Sequence, residues 1–358
     1  MTANVTKDMT EGSPVKLILG FFIPMLCGLL FQQLYNTVDT LIVGNFVGTQ
    51  ALAAVGATSS FVQLLVGLFV GLCSGAGVII AQSFGAGDHD EVNRQVHTAL
   101  ALAIAGGAAL TVIGLLISRP VLRLMQTPDE IVGMASEYLQ IYFLGMIPQM
   151  IYNMGTNILR AVGDSKRPLY FLIVASIVNI VLDIVLVAVI PLGVAGAAIA
   201  TVLSQAVGAA WIIRFLTGKK TILRLRKDYM RPEKKVILPV MALGISTFVM
   251  LSTESLLSIS FSSSLARYGG DVAVGAMTVI TSASQLCTLP IQGICQGGQP
   301  VMSFNFGAGK KPRVKEAFRF QLTPLLRLYH PVLAAHDAGP RRGGGHLYLG
   351  CRPHRIHH

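Results

Sequence analysis

The sequence predicts an all-α polytopic membrane protein, and three observations support this prediction. Of the 358 residues, 53% are hydrophobic and only 13% are charged, whereas soluble globular domains carry about 25% charged residues. Several apolar stretches exceed the roughly 18 residues expected of a membrane-spanning helix. The Lys and Arg residues are concentrated in alternate connecting segments. A soluble enzyme is excluded by this composition. Since the sequence shows no metal cluster, nucleotide loop or catalytic triad, we expect no enzyme activity and no cofactor.

Eight membrane spans are expected from the apolar runs. Ser13 and Pro14 predict the start of the first helix, because Pro is favoured at the first helical position after a Ser N-cap. The spans cover residues 15–43, 52–82, 95–118, 131–159, 168–190, 193–216, 236–266 and 273–305.

The distribution of basic residues predicts the orientation of these spans. If the N-terminus lies inside, the inner segments hold 20 Lys and Arg residues and the outer segments hold three. Because basic residues are retained on the cytoplasmic side, we expect a multi-pass protein of the plasma (inner) membrane with a cytoplasmic N-terminus. The basic connector, residues 214–235, is then explained by topology and by contact with anionic lipid rather than by nucleic acid.

An internal repeat divides the chain into two related parts. Shifted by 222 residues, Gln63–Gly87 matches Gln285–Gly309 at nine of 25 positions, and both copies end in the sequence FGAG. Internal repeats of this kind are typical of transporters. The predicted parts are a six-helix lobe (1–213), the connector (214–235), the start of a second lobe with two helices (236–320) and a tail (321–358).

The tail differs in composition from the rest of the chain. It holds six of the eight His residues, no Lys, and no apolar run near 18 residues. We therefore interpret it as out-of-frame translation after a frameshift near residue 320, and expect it to be disordered. A metal site at its histidines is disfavoured, because no regular spacing of ligands supports one.

Four polar residues in three different spans are expected at similar depth. Asp39, Asp183 and Thr201 lie about 6, 10 and 12 Å from the outer ends of their spans, at 1.5 Å per residue. Asn179 lies one helical turn from Asp183 on the same face. Charged residues inside a membrane are costly and usually line an ion or substrate path. Two carboxylates, an amide and a hydroxyl suit a monovalent cation or a shared proton. Two other interpretations remain open, an interfacial position for Asp39 and interhelical hydrogen bonding by the Asn179 and Asp183 pair.

Other polar residues are assigned to the second lobe and to the cavity. Glu254 lies near the middle of the seventh span and is the candidate cation-coupling residue there. Asn36, Gln63 and Gln285 are candidates for the substrate cavity, although helix packing is an equally good interpretation of the two glutamines. Pro24 removes a backbone donor from the first span and is a candidate hinge.

Several motifs in the expected order resemble the multidrug and toxic compound extrusion (MATE) transporters over residues 14–320. They are YNTVDTLIVGNFVGTQALAAVGA, LRAVGDSKRP after the fourth span, NIVLD in the fifth span, and FGAG. The resemblance implies two six-helix lobes facing a cleft, here with a complete first lobe and the first two helices of the second.

The same resemblance implies secondary export of organic cations by antiport with sodium or protons, by a protein that is monomeric when full length. It places the cation-coupling site at Asp39, Asn179, Asp183 and Thr201, with Glu254 as the acid of the second lobe. The sequence names neither the substrate nor the coupling ion.

Two alternatives are kept open. One is a non-transporting, truncated remnant of such a transporter. The other is a flippase of lipid-linked oligosaccharides, whose anionic substrate would require Arg or Lys in the cavity. No predicted span has Lys or Arg at mid-depth, which disfavours the flippase.

Overall fold

The protein is an antiparallel bundle of α-helices. A computed structural model describes residues 8–125, 127–218 and 233–338. Only the backbone is described for residues 60, 255, 258–259, 262–263, 265–287, 325 and 327–338. The helices are α1 (Pro14–Ile42), α2 (Thr49–Gly85), α3 (His89–Leu124), α4 (Asp129–Leu144), α5 (Met146–Ala161), α6 (Lys166–Asp183), α7 (Gly193–Leu216), α8 (Lys234–Gly307) and α9 (Lys311–Ala338). Most of the connector lies outside the described residues. We call the end of the bundle with the α6–α7 turn the upper end, and the end with the two FGAG turns the lower end.

The helices correspond closely to the predicted spans, with one correction. The first helix begins at Pro14 as predicted, although the Ser13 side chain makes no capping hydrogen bond. The predicted span 131–159 is not one helix, because Gly145 separates α4 from α5. A side chain at Gly145 would collide with Val202 of α7, so only glycine allows α7 this close to the break. Among the described residues, six helices are long and apolar enough to cross a membrane, and α4 and α5 are too short to be counted separately.

Helices α1 and α6 each continue at the upper end as a π-helical turn, Val43–Val47 after α1 and Ile184–Val189 after α6. The two turns contact each other. A single π turn inside or beside an α-helix is uncommon and is frequently found at functional sites. The second of these turns begins directly after Asp183.

The sequence repeat is a pseudo-twofold relation in space. A Cβ added at Gly71 of α2 would lie 2.6 Å from the carbonyl oxygen of Gly244 in α8. Gly293 is the repeat partner of Gly71, and a Cβ added at Gly293 would lie 3.2 Å from the side chain of Phe22 in α1. Phe22 is itself the repeat partner of Gly244. Two helix contacts are therefore related by one offset of 222 residues, and in both the absence of a side chain lets two helices pack closely.

The same relation holds where α2 and α8 meet at the lower end. Gly85 packs against the backbone of Phe304, and Gly307 packs against the backbone of Gln82. Each residue of one pair is the repeat partner of a residue in the other. The closing glycines of the two FGAG turns have φ of 78° and 72°, a left-handed conformation that favours glycine. The predicted repeat is thus confirmed as a structural one.

Helix α8 folds back on itself. Val240, near its start, packs on Gly75, while Phe304, near its end, packs on Gly85. A straight helix would separate Val240 from Phe304 by about 96 Å, but Gly75 and Gly85 are only about 15 Å apart along α2. The backbone must therefore reverse between these contacts, as expected for the predicted spans 236–266 and 273–305.

The segment before α1 is held against the end of the chain's second part. Arg313 of α9 donates hydrogen bonds to the carbonyl oxygens of Met9 (3.3 Å) and Glu11 (3.3 Å) and to Oδ1 of Asn305 (2.9 Å). Asn305 Nδ2 also donates to the Met9 carbonyl at 3.0 Å, and the Met9 side chain is fully buried. We call this group the N-terminal clasp; it joins the two parts of the repeat at the lower end.

The predicted tail does not begin as a disordered segment. Helix α9 runs through residue 320 and continues to Ala338. The expectation of disorder from residue 321 is therefore wrong for residues 321–338, and residues 339–358 lie outside the described part of the chain.

Candidate functional site

A cavity of about 720 Å³ lies between the two parts of the bundle. It is lined by α1, α2, α4, α5, α6 and α7, and by residues near both ends of α8. Five of the predicted residues line it: Pro24, Asn36, Asp39, Gln63 and Thr201. Polar groups from both repeats therefore face one space, which extends from Asp39 near the upper end to Arg160 near the lower end.

A pair of carboxyl groups lies beside the upper end of this cavity, which Asp39 lines but Asp183 and Asn179 do not. The side chain of Asp39 on α1 lies within hydrogen-bonding reach of Asp183 on α6. Asp183 is fully buried, and Asn179, one turn below it, is 2% exposed. The structure thus brings together three of the four predicted ligands, while Thr201 lines the same cavity from α7.

The polar atoms of this group lack hydrogen-bond partners in the described part of the chain. Within the described residues, no hydrogen-bond partner is found for Asp39 Oδ1, for either carboxylate oxygen of Asp183, or for either side-chain polar atom of Asn179. Leaving one buried polar group unpaired costs about 1–3 kcal/mol, and more if the group is charged. Two adjacent ionised carboxylates also repel each other. A proton held between them or a bound monovalent cation would relieve both costs, and oxygen donors are suited to such a cation.

Sequence reasoning missed the aromatic and hydroxyl groups around the carboxyl pair. Tyr138 of α4 lies beside both Asp39 and Asp183, and Tyr35 of α1 lies beside Asp39. Tyr142 stacks on Tyr138 with ring centroids 6.1 Å apart and accepts a hydrogen bond from Gln149 at 3.1 Å. The only signal in the sequence is a helical spacing: Tyr35 lies four residues before Asp39, and Tyr142 lies four residues after Tyr138.

The second-lobe residues are not brought to the carboxyl pair. Glu254 is exposed and does not line the cavity. It does share a helix face with Leu251 and Thr247, which do line it. Its repeat partner is Gln32, also a cavity residue. The side chain of Gln285 lies outside the described residues.

One basic residue lines the lower part of the cavity. Arg160, the penultimate residue of α5, is among the lining residues. The sequence placed it at the end of a span and counted it only toward membrane orientation. Arg160 lies at the end of α5 and not at mid-depth, so the prediction that no span has Lys or Arg at mid-depth is not contradicted.

Comparison with known proteins identifies the family. The family model described as MatE matches residues 24–185 and 246–335. These two segments correspond to the two copies of the repeat. The second segment continues past the predicted change near residue 320.

Individual relatives and a solved structure agree with this match. The chain is similar to the probable multidrug resistance protein YoeA of Bacillus subtilis (strain 168), with 28% identity over 322 residues, 88% of this chain and 69% of the relative. It is similar to the multidrug export protein MepA of Staphylococcus aureus (strain NCTC 8325 / PS 47), with 26% identity over 314 residues, 86% of this chain and 68% of the relative. A solved structure described as the outward-facing conformation of a multidrug resistance MATE family transporter of the MOP superfamily matches with a TM-score of 0.85 and 26% identity, covering 91% of this chain and 72% of that one.

These matches confirm the predicted all-α membrane fold. The chain belongs to the MatE family, whose members are multidrug efflux transporters of the membrane and not enzymes.

Proposed function

We propose that the protein exports amphipathic cationic compounds by antiport with sodium ions or protons that bind at Asp39, Asn179, Asp183 and Thr201. The observation that carries this proposal is the group of buried, unpartnered oxygen atoms shared by α1 and α6. A purely structural role would give these atoms hydrogen-bond donors, because unsatisfied buried groups destabilise a protein. A site that binds and releases a cation must instead keep its oxygen atoms available.

Helix α1 couples this site to the rest of the cavity in our proposal. Pro24 lies in the middle of α1 and lines the cavity. It cannot donate a hydrogen bond to the carbonyl of Gly20, so α1 bends more easily here than elsewhere. When a cation neutralises the carboxyl pair, Asp39 is drawn toward Asp183 and the upper half of α1 moves with it. Such a movement changes the shape of the cavity and favours release of the exported compound.

The orientation and assembly follow from the sequence. The excess of basic residues in alternate segments supports a plasma-membrane location with the N-terminus in the cytoplasm. The lower end, with the N-terminal clasp, then faces the cytoplasm. We further propose that the transporter acts as a monomer, because the cavity is formed within one chain.

Export from proteoliposomes under imposed gradients tests the proposal. Wild-type protein should move a fluorescent organic cation against its gradient when sodium or proton entry is allowed, and the gradient that suffices identifies the coupling ion. Asp183→Asn should abolish coupled export. Glu137→Gln is the matched control, because Glu137 is an exposed carboxylate on α4 that does not line the cavity. Normal coupled export by the Asp183 variant would refute the assignment.

A further inference from the structure

Helix α5 presents a polar stripe to the cavity from its first turn to its lower end. Gln149, Asn153, Thr156, Asn157 and Arg160 all line the cavity, and their spacing of three and four residues places them on one helix face. The stripe is about 17 Å long at 1.5 Å per residue. Its upper end is near Tyr142 in the aromatic group beside the carboxyl pair, and its lower end is the guanidinium of Arg160.

Arg160, at the end of α5, and Arg167, at the start of α6, flank the same loop, but among the described residues only Arg167 has an ion-pair partner. Arg167 donates to Asp164 Oδ2 at 2.8 Å, and its guanidinium lies 4.4 Å from the ring centroid of Phe215. Asp164, the nearest acidic residue in the sequence, is thus already paired. Among the described residues no hydrogen bond or ion pair is found for Arg160, and its Nε is shielded from solvent.

An unpaired guanidinium in a shielded position is unfavourable unless an anion or several acceptors complete it. Its planar fork of donors matches the two oxygen atoms of a carboxylate or the oxygen atoms of a phosphate. The amide groups of Asn153 and Asn157 each donate to a backbone carbonyl of their own helix, which leaves Arg160 as the free donor among the described residues at the lower end of the stripe. The lower end of the cavity is therefore complementary to an anionic group.

We propose that Arg160 is the specificity-determining residue of an anion subsite, and that the preferred substrate is an amphiphile bearing both a cationic and an anionic oxygen group. This inference rests on the proposed export function and narrows its substrate class from cations to zwitterions. The anionic end of the compound faces Arg160, and its cationic end extends along the stripe toward Asp39, the carboxylate that lines the cavity. The anionic group is a carboxylate of a soluble compound; a lipid phosphate has the same chemistry and is distinguished by the experiment.

Two dyes that differ by one methyl ester provide the test. Rhodamine 110 carries a free carboxylate and is a zwitterion, whereas rhodamine 123 is its cationic methyl ester. Binding to purified protein is measured by fluorescence anisotropy, which does not depend on transport. We expect wild-type protein to prefer rhodamine 110. Arg160→Gln should weaken rhodamine 110 binding about tenfold, the effect of one charge-assisted bidentate pair, and leave rhodamine 123 binding unchanged. Arg160→Lys should recover part of the loss, because the charge remains.

Unchanged rhodamine 123 binding by Arg160→Gln also shows that the variant is folded. Equal weakening of both dyes would overturn the proposal, since it would indicate a structural role for Arg160. Equal binding of both dyes by wild-type protein would overturn it as well. If export under ion gradients fails while rhodamine 110 selectivity is present and depends on Arg160, the proposed function is wrong and the anion subsite stands.

The lipid alternative is separated by the composition of the bilayer. The binding experiment is repeated in nanodiscs of phosphatidylcholine alone and of phosphatidylcholine with phosphatidylglycerol. Selectivity for rhodamine 110 should be the same in both. If phosphatidylglycerol displaces rhodamine 110 from wild-type protein and co-purifies with it but not with Arg160→Gln, a lipid headgroup occupies the subsite and the proposed substrate class is wrong.

Discussion

Replacing Gly75 by alanine should loosen the contact between α2 and α8. The added Cβ would lie 2.7 Å from the carbonyl oxygen of Val240 and 3.2 Å from both Gly244 N and Leu243 Cβ. Nonbonded heavy atoms prefer about 3.5 Å or more, so the helices must separate by several tenths of an ångström. Two of these three neighbours are backbone atoms that cannot rotate away. Overpacking of this kind costs about 1–3 kcal/mol.

Gly56 on the same helix provides the matched control. No atom lies within 4 Å of a Cβ placed there, so alanine should stabilise α2 by up to about 1 kcal/mol through helix propensity. The two variants should therefore differ by about 1–4 kcal/mol in the free energy of unfolding. At about 2–4 °C per kcal/mol for domains of 150–250 residues, the difference in melting temperature is at least about 2 °C.

Thermal unfolding in detergent, followed by the fluorescence of the single tryptophan, measures this difference. Trp211 packs against Phe171 with ring centroids 5.0 Å apart, so its emission reports loss of the α6–α7 contact. Gly297→Ala should be destabilised less than Gly75→Ala, because its nearest neighbours would lie at 3.2 Å. Equal melting temperatures for Gly75→Ala and Gly56→Ala would show that α2 and α8 do not approach as closely as described.

Three further changes test other parts of the structure. Arg313→Ala removes the donors to Met9, Glu11 and Asn305, so it should lower the free energy of unfolding by about 1–3 kcal/mol and make the N-terminal segment sensitive to limited proteolysis. Arg319→Ala, at an exposed position, is the control, and a wild-type digestion pattern for Arg313→Ala would argue against the clasp. Pro24→Ala restores a backbone donor within α1 and should raise the melting temperature while slowing export; faster export would contradict the hinge. Asn179→Leu replaces two unpartnered polar atoms by an apolar side chain of similar size, so the variant should be as stable as the wild type or more stable by about 1–3 kcal/mol. It should nevertheless be inactive in coupled export. A large loss of stability would indicate that the Asn179 amide has a structural role.

The carboxyl pair could be predicted from the sequence because charge is rare inside apolar helices. Asp39 and Asp183 stand out from their surroundings, and counting residues from the span ends places both near the same depth. The repeat could also be predicted, since glycines required for close helix contact recur at the same positions, as Gly71 and Gly293 do. The structure explains why they recur: the contact of Gly71 with Gly244 and the contact of Gly293 with Phe22 are related by the pseudo-twofold symmetry of the repeat.

Other features of the site depend on tertiary contacts that leave little signal in the sequence. Tyr138 and Tyr142 are spaced like any pair of packed aromatic residues, and only the fold shows that Tyr138 lies beside the carboxyl pair. The π turns after Ile42 and Asp183 have ordinary apolar sequences, so no local preference indicates them. Arg160 was counted only toward membrane orientation, because a basic residue at a span end satisfies that rule, whereas its position in the cavity follows from the face that α5 presents.

Cation binding at the carboxyl pair is the central claim, and a melting-temperature titration tests it without requiring transport. Purified wild-type protein is titrated with sodium chloride against choline chloride at constant ionic strength, and separately with acid from pH 8 to pH 6. A cation that binds the folded protein raises its melting temperature by mass action. We predict that sodium ions or protons stabilise the wild type and Glu137→Gln but have no such effect on Asp183→Asn. The same stabilisation in all three proteins, or none in the wild type, would contradict the account.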